Sequence, residues 1–471
     1  MTTNGKCSCS GVVVLFFSDY STDSTSTTSI SITMGDVIIN GNYDAISINH
    51  GDDGYILFFS ALARRSVGDS DVLIDIGDVA INGDCSFTTS YFSLIFSVVG
   101  ESANGSYSLI LGNVMINGNF SFGKYVLESF FSSVEFGNSN DYSTLSIAIG
   151  DVTINGYNNN ADTAVQFVFF SASYQSAENT TVSIISVSIK IDDVTINGNY
   201  NMSSYGVGCI AFFSSFFACK NSKPDDLTVS IDIGDVTING NCNMSCTAPC
   251  SIAFFSSFSQ CKDSNLGDYT VSIDIGDVTI ADNCHLDADG ISTFFSSYSS
   301  SNGSTSITMG DVIIDGVCSS DGEDVFFFSA YSENESALID MGNVIINGEC
   351  SCAGYFSLFF SAFSASDDST SIKMDNVTIN GKCSCGSNTG YSFFFSAGDL
   401  KSSNCSITMR DIKFDSNAVI TIMGLSKVFF YASDDGASSI TSFTIDSAVF
   451  KTNNAGANDP VNLNLSGTTI T

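Results

Sequence analysis

The chain is poor in positive charge. Only 15 Lys and Arg stand against 50 Asp and Glu, for a formal net charge of −35. Nucleic acids and anionic membrane surfaces both recruit basic patches, so this balance argues against either as a partner. It suits cations, a saline setting or plain solubility. No apolar run approaches the ~18–20 residues of a membrane helix, which argues against membrane insertion. No signal peptide is visible: the start, Met1-Thr2-Thr3-Asn4-Gly5-Lys6, lacks a basic n-region, and the apolar run 12–17 belongs to a repeat. Histidine is confined to His50 and His285, about six repeat units apart, so a His-based catalytic triad is not expected. Arginine is limited to Arg64, Arg65 and Arg410, too few for the basic residues that often accompany the carboxylates of glycan-cleaving enzymes. There is no Trp and only 3 Pro.

What is abundant is repetition. Val271-Ser272-Ile273-Asp274-Ile275-Gly276-Asp277-Val278-Thr279-Ile280 copies residues 229–238, and looser copies begin at Ile32 and Ile372. Such a period has to be recognised before any domain count is attempted. One marker is a Gly-Asp-Val bend, at Gly35, Gly77, Gly112, Gly150, Gly234, Gly276, Gly310 and Gly342, with Asp192, Asp375 and Arg410 at the matching places. The other is a Phe-Phe-Ser run ending at Ser18, Ser60, Ser97, Ser132, Ser171, Ser214, Ser256, Ser296, Ser329, Ser361 and Ser396. The two alternate strictly, giving about eleven units of 32–43 residues and a partial twelfth.

Within a unit, apolar residues alternate at period two in Ser-Ile-x-Ile and again in Val-x-Ile, and the Phe-Phe-Ser run is aromatic. These are strand signals. Ser, Thr, Gly, Asn and β-branched residues disfavour helix. Gly-Asp and Asn-Gly read as two corners, where Gly and Asn tolerate unusual backbone angles. The expected fold is all-β: a right-handed parallel β-helix with three strands per coil, spanning 1–417, with a last partial coil and cap in 418–471. A β-propeller is the runner-up, but the unit count exceeds the usual four to eight blades. Connections after the Phe-Phe-Ser run, such as 214–227 and 256–269, read as flank loops. The turn-like stretch 453–460 falls in the cap.

Stacking at about 4.7–4.9 Å turns equivalent residues into columns. The Asn of Asn-Gly should form an amide ladder. Asp36, Asp78, Asp151, Asp193, Asp235, Asp277 and Asp311 should form a carboxylate column, interrupted by Asn113, Asn343 and Asn376. Ca2+ could bridge it; otherwise each Asp bonds backbone N–H groups at its bend. Of two adjacent Phe, one should face the core and the other solvent, so an exposed Phe ladder for self-association is expected unless a bulge turns it or loops cover it. Thr153, Thr195, Thr237, Thr279 and Thr378 line up, which admits an ice-binding reading, although Asp232, Asp274 and Asp340 break the neighbouring column.

The 16 Cys show a pattern. Cys242, Cys284, Cys318, Cys350 and Cys383 follow the Asn-Gly corner in consecutive coils. Cys219 and Cys261 lie 42 apart in matching contexts. All seven are disulfide candidates, since Cα separations near 5 Å are within range, and bridges would imply an oxidising compartment. The Cys-Ser-Cys runs lack zinc-site spacing. Asn-x-Ser/Thr sequons occur at Asn104, Asn119, Asn179, Asn201, Asn243, Asn302, Asn334, Asn376, Asn404 and Asn464. Asp287/Asp289 and Asp367/Asp368 are the least periodic acidic pairs.

Through Gly-Asp-Val…Asn-Gly and Phe-Phe-Ser, the chain resembles the general class of extracellular β-solenoids: adhesins and fibre or surface-layer components. The resemblance implies a secreted or cell-surface structural and adhesive rod, with self-association or a surface glycan or protein as partner, and no catalytic residues. The segment 4–9 nearly duplicates 380–385, so the first coil is expected to behave as an interior coil able to stack on a further one. A glycan-active β-helix enzyme is the alternative from another class.

Overall fold

In the computed structural model the described residues are 1–450 and 463–465, less 12, 23–27, 48–53, 65–69, 89–91, 102–104, 123–126, 138–141, 157, 161–165, 177–180, 183, 205–208, 221–222, 225–226, 247–249, 263–268, 301–303, 334–335, 365–368, 387–389, 400–404, 415–417, 423–425 and 434–440. They contain strands and no helix. His50, Asp367, Asp368, Asn104, Asn179, Asn302, Asn334, Asn404 and the 453–460 turn lie outside the described residues.

Every strand pairing is parallel and in register with the equivalent residue of the next repeat. Leu227–Ile233 pairs with Tyr269–Ile275, so Val229 faces Val271 and Ile231 faces Ile273. The chain is therefore a parallel β-solenoid, one coil per repeat. The stacking extends to Thr441–Phe450, which pairs with Cys405–Phe414.

Coils between Thr28 and Ser299 hold five main strand segments rather than three, and later coils fuse neighbouring segments, as in Val317–Phe327 and Thr370–Ile379. In one coil they are Leu227–Ile233, Val236–Ile238, Cys242–Cys246, Ser251–Phe254 and Ser257–Lys262. The first two belong to one sheet and the last three to another. The third follows the Asn-Gly corner directly. The fifth occupies Ser257–Lys262, where the sequence suggested a loop. Both are short, and their outward positions carry Ser, Asn or aromatic residues, so neither has the apolar alternation that marks the first strand.

The first strand alternates buried and solvent-facing residues, with Leu227, Val229, Ile231 and Ile233 inside. Val236 and Ile238 continue that inner face after the corner. The corner glycines are there for space. Gly276 is not among the described residues with positive φ, and of the Asn-Gly glycines only Gly5 and Gly41 are. A Cβ on Gly276 would collide with Asp235 Oδ1 of the coil before, and one on Gly240 would collide with the carbonyl oxygen of Gly198. This corrects the expectation that left-handed backbone selects glycine at these corners.

The left-handed backbone falls instead on phenylalanine. The second Phe of the pair has φ between 47° and 51° at ten positions, Phe17, Phe59, Phe96, Phe131, Phe170, Phe213, Phe255, Phe295, Phe328 and Phe360. That conformation is uncommon for a bulky residue and costs free energy. It bends the chain so that both rings enter the core. Phe254 and Phe255 are both fully buried, with centroids 4.8 Å apart and rings edge to face. Each then stacks on its equivalent in the next coil: Phe170, Phe213 and Phe255 follow at 4.7 and 4.8 Å. The expected exposed Phe ladder is thus overturned, because the bend cancels the strand alternation.

The same bend creates a re-entrant angle. Outward side chains of the fourth and fifth strands meet there as a second apolar cluster, including Leu57, Leu62, Leu94, Val99, Phe216 and Phe258. The cross-section therefore has two cores, one inside the coil and one in its notch.

Candidate functional surface: polar ladders and an anionic aromatic groove

The periodic polar residues are engaged coil to coil. Asn40 Nδ2 donates to Asn4 Oδ1, and the pattern repeats through Asn82, Asn117, Asn155, Asn197 and Asn239 at 2.7–2.9 Å. Ala281 interrupts the ladder. It resumes with Asn347 on Asp315 and Asn380 on Asn347.

At the Gly-Asp corner, each side chain accepts the backbone N–H of its equivalent one coil on. Asp235 Oδ1 takes Asp277 N–H at 2.8 Å, and Asp277 Oδ1 takes Asp311 N–H at 2.7 Å. The same holds from Asp36 to Asp78, Asp78 to Asn113, Asn113 to Asp151, Asp151 to Asp193, Asp193 to Asp235 and Asp311 to Asn343. The bond runs to the next coil, not within the bend. One carboxylate oxygen of each Asp is therefore occupied. Among the described residues no group of three or more His, Cys, Asp or Glu is arranged to hold a metal ion.

The serine after the Phe pair forms a third ladder, fully inside. Ser256 Oγ donates to its own Phe254 carbonyl at 2.8 Å and accepts Ser296 N–H at 3.1 Å. Ser60, Ser97, Ser132, Ser171, Ser214, Ser296 and Ser329 do the same, while Ser361 Oγ donates to the Phe359 carbonyl and accepts the Ser396 hydroxyl at 2.7 Å. The left-handed Phe takes the following N–H out of the regular ladder, and the serine hydroxyl satisfies it.

Cys242, Cys284, Cys318, Cys350 and Cys383 stand in one register column, buried and free. In-register neighbours carry their Cβ atoms side by side at about the strand spacing, wider than the ~3.5–4.5 Å a bridge prefers. The five stand unbridged in the structure. Burial holds the thiols of Cys318 and Cys350 well above the ordinary range. Cys219 and Cys261 are in register through their backbone; their side chains lie outside the described residues. Among the described residues, a disulfide joins Cys246 to Cys250. It spans a connection within one coil, so no column of equivalent residues marks it in the sequence.

The Thr column runs Thr153, Thr195, Thr237, Thr279, then Ile313 and Ile345, then Thr378. Two isoleucines thus break the array.

Departures from the repeat concentrate on two neighbouring coils. His285 was expected to stand apart. Its Nδ1 lies 2.6 Å from Ser319 Oγ, because in-register stacking sets residues 34 apart side by side. Asp287 faces Asp321 in the same register. Burial raises the Asp321 carboxyl above its usual range; the Asp287 charge adds to this and His285 opposes it. Asp289 is exposed beside them. The equivalents of His285 in flanking coils are Asn243 and Ser319, so the imidazole has no counterpart there.

On the same coils the notch changes character. Asp324 takes the place that Ile291 and Phe356 hold in the coils before and after. Tyr298, Tyr331 and Phe363 stack along the fifth strands, with centroids 5.3 and 5.9 Å apart. Phe356 packs edge-on against Phe363 at 5.9 Å. Here the second cluster opens. Tyr331, Phe356 and Phe363 are only half-buried, and Tyr355 beside them is 53% exposed. Tyr331 Oη donates to Glu333 Oε1 at 3.4 Å. Burial, then the charges of Glu323 and Glu333, push the Asp324 carboxyl up to about 6. These residues escaped the sequence reading because aromatics in a notch look like aromatics in a core until the bend is known.

Comparison with protein-family models, curated proteins and solved structures finds no match.

Proposed function

We propose that this chain is a non-catalytic structural and adhesive rod of an extracellular or cell-surface setting. The supporting observation is that three side-chain ladders, of Asn, corner Asp and buried Ser, commit the periodic polar groups to coil-to-coil bonds. The repeat therefore builds length. About a dozen coils at the strand spacing make a rod on the order of 50–60 Å.

A self-assembling version draws on the coil at 2–22. Its strands pair on one side with Val37–Asn40, Tyr43–Ser47, Tyr55–Phe58 and Ala61–Arg64. Its Leu15 is 48% exposed, and Phe16 and Phe17 are half-buried. An edge of this kind pairs readily with another strand. A second chain or a preceding segment of the same polypeptide can supply that strand. Electron microscopy of the purified chain over a range of concentrations tests the rod. Elongated particles of the stated length are expected, lengthening in whole multiples if coils stack. Compact, isometric particles would refute the rod, and discrete rods at every concentration would refute assembly.

A further inference from the structure

We infer that the open notch at Asp324, Glu333, Tyr331, Phe356 and Phe363 is a docking groove for a basic polypeptide segment, presenting lysine or arginine side chains to the carboxylates and the aromatic faces. It gives the adhesive reading a partner of defined chemistry.

Charge complementarity carries the inference. Residues 263–372 contain 18 Asp and Glu and no Lys or Arg. Lys373 and Lys382 from the next coil reach Asp340 and Glu349. No ion pair among the described residues reaches Asp324 or Glu333. The groove thus sits in a field of one sign, which steers a cation toward it.

The aromatic lining sets the groove apart from a general acidic surface. The rings of Tyr298, Tyr331 and Phe363 stack in one row, and Phe356 packs edge-on against Tyr331 and Phe363, giving one aromatic surface. Cations are attracted to such ring faces, and more strongly where water is partly excluded. The carboxylates lie at the same place: both Asp324 and Glu333 raise the Tyr298 and Tyr331 hydroxyls, after burial. An anionic ligand would meet repulsion here. A purely apolar ligand would leave Asp324 buried against it without compensation.

The test is titration calorimetry of an octalysine peptide into the intact chain at physiological salt and pH 7.5. The double variant D324N/E333Q is compared with D232N/D274N, which removes the same charge from the first-strand face. The groove variant is expected to weaken binding at least tenfold and the remote one less than twofold. Y331L, which keeps bulk and removes the ring face, should weaken it about two- to fivefold. Affinity for the parent chain should fall as pH is lowered through 6, where Asp324 takes up a proton. Equal losses in the two double variants would mean diffuse attraction only and would overturn the groove. So would failure of octalysine to bind the parent chain. Circular dichroism of each variant checks folding. Particles that stay discrete in the microscope yet bind octalysine at the groove would refute assembly and leave this inference standing.

Discussion

The buried serine ladder makes a sharp prediction at Ser256. Its hydroxyl has two bonds, one given to the Phe254 carbonyl and one received from Ser296 N–H. Both serines are fully buried. In Ser256→Ala the Phe254 carbonyl keeps a partner, since it also accepts Phe295 N–H at 3.0 Å. The Ser296 N–H loses its acceptor. A buried donor left unmet costs about 1–3 kcal/mol. In a stacked array that cost falls on the junction between two coils, since each repeat contacts only its neighbours. Native-state hydrogen exchange reads it locally. A loss of ~2 kcal/mol corresponds to roughly 30-fold faster exchange of amides around Ser296, at 1.4 kcal/mol per tenfold. Amides several coils away should be unaffected. Ser230→Ala on the outer face serves as reference and should stay within about 0.5 kcal/mol. If Ser256→Ala exchanged no faster than Ser230→Ala, the ladder would be ornament and the reasoning would fail.

Three further outcomes follow from the same geometry. Phe255→Ala should cost ~3–5 kcal/mol in denaturant melts through the lost ring; because the site has φ of 47°, Phe255→Gly should be no worse, and an Ala variant more stable than the Gly variant would refute the strain argument. Gly276→Ala should destabilise through collision with Asp235 Oδ1, and adding Asp235→Ala should recover part of the loss, with a coupling of about 0.5–3 kcal/mol; strict additivity would exclude the contact. Asp324 titrates near 6 in the folded chain, above its ordinary 3.8, so the folded state binds the proton more tightly and stability is lost as pH rises from about 4 through 6. Asp324→Asn should then raise the unfolding free energy at pH 8, by about 1–2 kcal/mol after screening by solvent, and not at pH 3.5; a gain independent of pH would refute the assignment.

The solenoid was legible because stacking demands alternation on the first strand and constancy at the corners, and both are written in Val229, Ile231, Gly234 and Asp235. The amide ladder was legible for the same reason. The Phe pair was not. Alternation assigns Phe254 and Phe255 to opposite faces, and only the left-handed bend at Phe255 reconciles them in one core. Everything built on that bend was hidden with it: the fifth strand, the second apolar cluster and the open notch. The local cluster at His285, Ser319, Asp287 and Asp321 was hidden by distance along the chain, since its partners come from the next coil. The corner glycines were placed correctly and explained wrongly, because collision with a neighbouring coil leaves no trace within a single repeat.

The gap at Ala281 has a mechanical meaning. Hydrogen bonds between coils lie along the rod, so a load along the axis is borne by the junctions in series. Such a body is as strong as its weakest link, however many links it has. The junctions on either side of Ala281, toward Asn239 and toward Asp315, have their serine and aspartate bonds but lack the amide rung. A tether pulled from both ends has there a built-in place to part.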